Sequence, residues 1–200
     1  MRLILTLFTT LLLSTVCLAQ ATSTPCPPEG NTPSDIGKRI NVMKNRDITP
    51  GTVKPNIVID SILKGMPEDT GRYKSTDYVN VTGFVLGADD EGPESCNCNS
   101  RDTNKQNVIL YIGHSLMAGK DSVFAVEVTP KFKTAHPHLN IDGLLGQKIS
   151  ISGYLMYNFD MKKYALNACK KCRTTDRKTA WEICPVADIT VLSGGVVPKK

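Results

Sequence analysis

A mostly β chain, with five strands rolled into a barrel and one short helix between the third and fourth strands, is the fold class this sequence predicts. Three observations carry it. Five segments rich in Val, Ile, Tyr and Phe follow one another from residue 78 to 192, each bounded by Gly, Pro, Asn or Asp. In the clearest of them Ile149, Ile151, Gly153, Leu155 and Tyr157 share one face and Ser150, Ser152, Tyr154 and Met156 the other, which is the period of a half-buried strand. Glycines at 83 and 153 interrupt apolar strands, as bend points of a coiled barrel do.

Taken in order, the chain opens with Arg2, the apolar run Leu3 to Leu13, and Cys17-Leu18-Ala19, a charge, a core and a cleavage site that read as a signal peptide over 1–19. That apolar run is shorter than the roughly 20 residues a membrane-spanning helix needs. Lipidation at Cys17 is the minor alternative, because Ser14-Thr15-Val16 lacks the small residue that usually precedes a lipid-bearing cysteine. Cleavage after Ala19 leaves 181 of the 200 residues, six of the seven cysteines and a net charge of +4 in place of +5. Residues 20–34 are a Pro/Ser/Thr-rich spacer, too poor in apolar side chains to fold alone. Residues 35–77 are expected to form an N-terminal extension packed on the barrel, with Ile57 to Ile59 a possible strand and Asp60 to Lys64 a helical turn stopped by Gly65 and Pro67. The barrel spans 78–193 and a flexible tail 194–200.

Within the barrel, the strands are expected at Tyr78 to Leu86, Asn107 to Ile112, Val123 to Val128, Lys148 to Tyr157 and Thr179 to Leu192. Gly87 to Pro93 reads as a loop, and Pro137 to Gly146 as the single helix. Three strands, a helix and two strands is the element order of the OB-fold, a partly open five-stranded barrel that binds ligands between its first and last long loops. A mature chain of this size holds one core, and its hydrophobic content of 40% with 22% charged residues excludes wholesale disorder and fibrous repeats.

Glu94-Ser95-Cys96-Asn97-Cys98, Ala125 to Pro130, Gly153 to Tyr157 and Trp181-Glu182-Ile183-Cys184-Pro185 resemble a group of exported bacterial OB-fold-like proteins, over about Val58 to Val191. The resemblance implies fold and export and brings no activity. Cys184 stands where that group is expected to carry histidine, and Val108 where it carries a polar residue or histidine, so histidine chemistry in relatives does not transfer.

The cysteines offer three chemistries. Cys96 and Cys98 lie in the loop after the first strand, and Cys169 and Cys172 in the loop before the last. Disulfides tying the two loops suit an oxidising compartment and are the preferred expectation. A four-cysteine zinc site from Cys96, Cys98, Cys169 and Cys172 is the alternative, with one structural zinc as the cofactor. A redox-active Cys169-Lys170-Lys171-Cys172 is the third, and it lacks a thioredoxin-like βαβ setting. Cys26 and Cys184 remain, either as a pair pinning the spacer to the barrel or with Cys184 as a buried free thiol.

Charge is uneven. Residues 20–100 hold 8 Lys/Arg against 11 Asp/Glu, and residues 101–200 hold 15 against 8. Lys162, Lys163, Lys170, Lys171, Arg173, Arg177 and Lys178 crowd the loop before the last strand, with Lys131, Lys133 and the ring of Tyr154 as further candidates for gripping an anionic polymer such as nucleic acid or acidic polysaccharide. No catalytic residue is assigned. His114, His136 and His138, or the set Arg101, Asp102 and Glu127, supply residue types without an ordered motif, and Glu127 and Glu182 read as acids paired with Arg or Lys. The expectation is thus an exported, monomeric, periplasmic or extracellular binding module for an anionic ligand. A metal-dependent hydrolase or thiol redox enzyme, or a structural partner-binding protein, are the alternatives.

Overall fold

The strands β1 (Tyr78–Asp90), β2 (Val108–Gly113), β3 (Val123–Val128), β4 (Gln147–Tyr157) and β5 (Trp181–Gly194) close into a barrel in the order β1–β2–β3–β5–β4, with β4 returning to β1. This is a computed structural model, and it describes residues 25–55, 57–64, 72–166 and 177–194. All neighbouring strands run antiparallel except β3 and β5, which are parallel through Ala125 opposite Glu182 and Val126 opposite Ile183. The mostly β, OB-fold-like architecture read from the sequence is the one observed.

Closure depends on β1 serving two partners. Tyr78 to Phe84 pair with β4, Phe84 to Asp90 pair with β2, and a bulge between Val85 and Gly87 turns the strand from one to the other. Gly153 lies at a register shift between β4 and β5, where a Cβ would stand 2.5 Å from Ile183 Cγ2 and 2.6 Å from the Pro185 carbonyl oxygen. The expected bend at this glycine is therefore also a close approach of two backbones. Inside, Val79, Leu110, Ile112, Phe124, Val126, Ile149, Ile151, Leu155 and Ile183 are fully buried.

Among the described residues, three short α-helices accompany the barrel. In α1 (Asp35–Lys44), the Ser34 hydroxyl accepts a hydrogen bond from Gly37 N, Asp35 stands in the first turn and Lys44 in the last, the charges a helix dipole favours. Ile40, Asn41 and Lys44 form its buried face, which packs on the β1–β2 loop and β5. The helix α2 (Ile59–Leu63) takes in Ile59, which the sequence offered to a strand, and it lays Ile59 and Ile62 against β1 and β3. Both helices of the extension thus pack against the barrel.

Two expectations change. The helix between β3 and β4 is α3 (Pro130–Ala135), with only a 3-10 turn, Asp142–Leu144, inside the segment expected to be helical. Thr129 accepts from Phe132 N as the cap, and Pro130 occupies the first turn, where its missing N–H costs nothing. Likewise β1 runs on through Gly87 to Asp90, residues read as loop, because β2 supplies their ladder partners.

Candidate functional site

Every residue of β3 is buried, which a barrel strand achieves only if something covers its outer face. Phe124, Val126 and Val128 belong to the core, so alternation turns Ala125 and Glu127 outward. On β5, Trp181 and Ile183 belong to the core and Glu182 and Cys184 take the other face. Helix α1 and the β1–β2 loop cover that outer face. Asn41 Nδ2 donates to the Glu29 carbonyl at 2.8 Å and to Ser95 Oγ at 3.1 Å, and Asn45 Nδ2 donates to the Cys96 carbonyl at 2.9 Å. A disulfide between Cys26 and Cys98 ties the same two segments together.

Beneath this cover lies a charged cluster. The Lys44 ammonium, at 4% exposure, sits 2.8 Å from Glu94 Oε1, 2.9 Å from Glu127 Oε1 and 3.6 Å from Glu91 Oε2. Asn107 Nδ2 donates to Glu94 Oε2 at 2.6 Å and to Glu127 Oε1 at 2.5 Å. Alongside, Arg177 Nη1 donates to Glu182 Oε2 at 2.6 Å while Asn158 Nδ2 donates to Glu182 Oε1 at 2.9 Å. Four carboxyls, Glu91, Glu94, Glu127 and Glu182, thus face two cations.

The surplus shows in the electrostatics. Burial works against the charge of Lys44, but Glu127, Glu91 and Glu94 together hold its pKa well above the ordinary value. Burial drives Glu91 from 4.5 up to about 8 against the pull of Lys44, and Glu127 rises well above the ordinary range through burial and the repulsion of Glu91. For Glu94, burial is outweighed by Lys44, the hydrogen bond from Glu91 and the Asn107 amide, which hold it low. Glu91, 3.6 Å from the Lys44 ammonium, keeps its proton towards the Glu94 carboxylate, and Glu127 Oε2 has no hydrogen-bond partner among the described residues.

A pH dependence follows from these directions. A folded-state pKa raised above the unfolded value means that the native protein keeps a proton the unfolded chain releases, so stability is full below pH 4.5 for Glu91 and is lost as pH rises through 8. Glu94 acts oppositely, its contribution being lost in acid. Urea midpoints are expected to fall from pH 5.5 to pH 8.5, and to fall less in Glu91→Gln; a midpoint that rises over this range contradicts the assignment.

The cluster opens on one side into a cleft of about 450 Å³ lined by Asp89, Asp90, Glu91 and Glu94 from β1 and its loop, Ile109 and Tyr111 from β2, and Met161, Tyr164 and Arg177 from around the β4–β5 loop. The described margins of the two loops meet over β2, and the wall they form is acidic on the β1 side, while Lys170, Lys171 and Arg173 of the expected basic patch lie outside the described residues.

Several candidates from the sequence are tied up elsewhere. Arg177 is 2% exposed and committed to Glu182, so it cannot serve a surface anion. Lys131 pairs with Asp47, and Lys133 Nζ donates to the Thr103 carbonyl at 3.0 Å. The Tyr154 ring lies under Arg46, 4.4 Å from the guanidinium carbon, and its hydroxyl donates to the Thr49 carbonyl at 3.1 Å, so the N-terminal extension already occupies its face. Lys163 stands over Tyr164, and the Lys178 backbone N–H donates to the Val123 carbonyl. Lys162 is half-buried in the turn Asp160–Tyr164. Lys170, Lys171 and Arg173 lie outside the described residues, as do Cys169 and Cys172.

The cysteine expectations are corrected in two respects. Cys98 is bonded to Cys26 over a separation of 72 residues, so the four-cysteine zinc set loses Cys98, and Cys26 is not paired with Cys184. Cys96 and Cys184 are buried free thiols, and burial pushes both pKa values up, the reverse of what a reactive thiol needs. His136 stacks on Phe132 and its Nδ1 lies 3.1 Å from the Phe132 carbonyl oxygen, which places it in a helix end. Asp102 caps its own turn through Asn104 N while Glu127 is buried beneath α1, so the Arg101, Asp102 and Glu127 set spans the exposed loop and the covered cluster.

Sequence reasoning missed Lys44, Glu91, Glu94 and Asn107. The available signal was a single acid inside each of two apolar strands, Val126-Glu127-Val128 and Trp181-Glu182-Ile183.

No protein-family model and no curated protein matches this chain. Among solved structures, an aspartyl tRNA synthetase from Entamoeba histolytica is similar, at 14% identity and a TM-score of 0.37, over 78% of this chain. The chain spans about a quarter of the length of that protein, the matched share being 25%. A likeness at this level assigns no activity. No described helix is long and apolar enough to cross a membrane.

Proposed function

We propose that this chain is an exported binding module and that the cationic part of its ligand enters the cleft between the β1–β2 loop and the β4–β5 loop. The observation that carries the reading is the acidic wall formed by Asp89, Asp90, Glu91 and Glu94. A cleft lined by one sign of charge with low-dielectric walls concentrates ions of the opposite sign. Tyr111 and Tyr164 add rings that can contact a cation or the apolar stem attached to it. Export is supported by the charge, apolar core and cleavage site of residues 1–19, and a disulfide between Cys26 and Cys98 suits an oxidising compartment.

The anionic-polymer reading now leans on Lys162, Lys163, Lys178 and residues outside the described ones. Calorimetric titration with spermidine and with a single-stranded oligothymidylate separates the two. Binding of spermidine that weakens with salt and in Asp90→Asn is expected. Salt-sensitive binding of the oligonucleotide, with none of spermidine, contradicts the proposal.

A further inference from the structure

We infer that the groove between α1 and the facing ends of β4 and β5 binds an amphiphilic carboxylate of the fatty-acid class. One wall is a chain of edge-to-face rings, Tyr73 on Trp181 at 5.5 Å between centroids, Trp181 on Tyr157 at 5.4 Å and Tyr157 on Phe159 at 4.9 Å. Two hollows of about 280 and 230 Å³ share Arg39, Met43 and Phe159, so they run into one another along the helix. None of their lining residues belongs to the acidic cleft, so this is a second site.

The apolar surface and the charges beside it together select the ligand. Ile36, Ile40 and Met43 follow one another at helical spacing, an apolar stripe about 10 Å long at 1.5 Å per residue. Ile36 is 61% exposed and Phe159 52%, and both line the same hollow. Such a stripe suits an extended acyl chain, and the flexible Met43 side chain adapts to one. Arg39 stands where the two hollows join, and Lys74 lies at the aromatic end. Neither cationic group has an ion-pair or hydrogen-bond partner among the described residues, whereas Lys38, which lines an adjoining hollow with Glu29, already stands 3.7 Å from Asp35. Free cations beside an apolar stripe complement an anion carried on an apolar body, and a guanidinium takes a carboxylate through two parallel N–H donors. At the same end the Trp181 indole N–H, in a side chain 2% exposed, has no acceptor among the described residues. A buried donor without an acceptor costs free energy that a carboxylate oxygen would return. Rings alone would also suit a quaternary ammonium, but Arg39 and Lys74 repel one.

The chain has a single tryptophan, so its fluorescence reads the groove directly. The mature, disulfide-bonded protein is titrated with dodecanoate below its micelle concentration, in parallel with dodecanol and dodecyltrimethylammonium, and calorimetry counts the stoichiometry. One dodecanoate per chain is expected, with a saturable change in Trp181 emission and an affinity roughly tenfold above that for either of the other two. Arg39→Gln is expected to weaken dodecanoate by about tenfold and to leave dodecanol unchanged, while Phe159→Ala weakens both. These two side chains are exposed, so circular dichroism should match the wild type in each variant. No saturable dodecanoate binding overturns the inference, as does binding that Arg39→Gln leaves untouched or an equal affinity for the ammonium. A dimer in sedimentation that Phe159→Ala disperses, without dodecanoate binding, gives the groove to a second copy of the chain and overturns it as well.

Discussion

Replacing Lys44 by methionine is expected to lower the unfolding free energy by about 3–5 kcal/mol, the usual cost of removing one partner of a buried ion pair. Methionine keeps most of the apolar stem, so the loss reports the ammonium. Lys44 Nζ contacts three carboxylates from the β1–β2 loop and β3, and Asn107 is the other donor serving Glu94 and Glu127. Without the ammonium the cluster must hold four acids against Arg177 alone, so the loss is expected to be largest at pH 8 and to shrink towards pH 5.5, where the carboxyls take up protons. Double replacement with Glu127→Gln is expected to recover part of the loss, since it removes one of the charges left stranded. As a contrast, Lys38→Ala removes an exposed pair with Asp35 and is expected to change stability by less than about 0.5 kcal/mol. Urea unfolding at the two pH values measures all four proteins.

The second large effect belongs to the disulfide. Cys26 and Cys98 close a loop with a separation of 72 residues, for which chain-entropy reasoning gives about 4 kcal/mol. Cys26→Ser is expected to lower the melting temperature by roughly 10 °C at this chain length. Reductant applied to the wild type should reproduce the shift and leave the variant unmoved. Beyond stability, the bond pins the spacer to the β1–β2 loop beside α1, so its loss should also raise amide exchange across Asp35 to Lys44. If Cys26→Ser melts within a degree or two of the wild type, the segment is held by the Asn41 and Asn45 hydrogen bonds and the bond is incidental.

The barrel was legible because strand periodicity is local. Alternation placed β3 correctly and β4 within one residue, since inward apolar and outward polar residues repeat within a few positions. Asp89 and Asp90 hid the last turn of β1 because a strand end that forms a cleft wall is polar on both faces, and a polar run next to glycine looks like a loop. Helix α3 was hidden by the same habit: Thr129-Pro130 reads as a strand stop, although it is also a cap followed by a first-turn proline.

The site was far less legible, for a different reason. Lys44, Glu91, Asn107, Glu127 and Glu182 come from α1, two loop margins, β3 and β5, and no spacing in sequence joins them. Charge counting pointed to the cations of the loop before β5, several of which lie outside the described residues, and passed over the acids at the start of the β1–β2 loop. It treats Arg177 as surface charge, whereas the fold buries it against Glu182, and it spreads Asp89 to Glu94 over an acidic half where the fold gathers them on one wall.

The cleft as working surface is tested most directly by mapping amide chemical shifts of the mature, disulfide-bonded protein as spermidine is added. Shifts are expected to concentrate at Asp89 to Glu94, Ile109 to Tyr111 and Met161 to Tyr164, and to fade in Glu91→Gln. Shifts confined to Lys131, Lys133 and their neighbours, with the cleft residues still, would contradict the account.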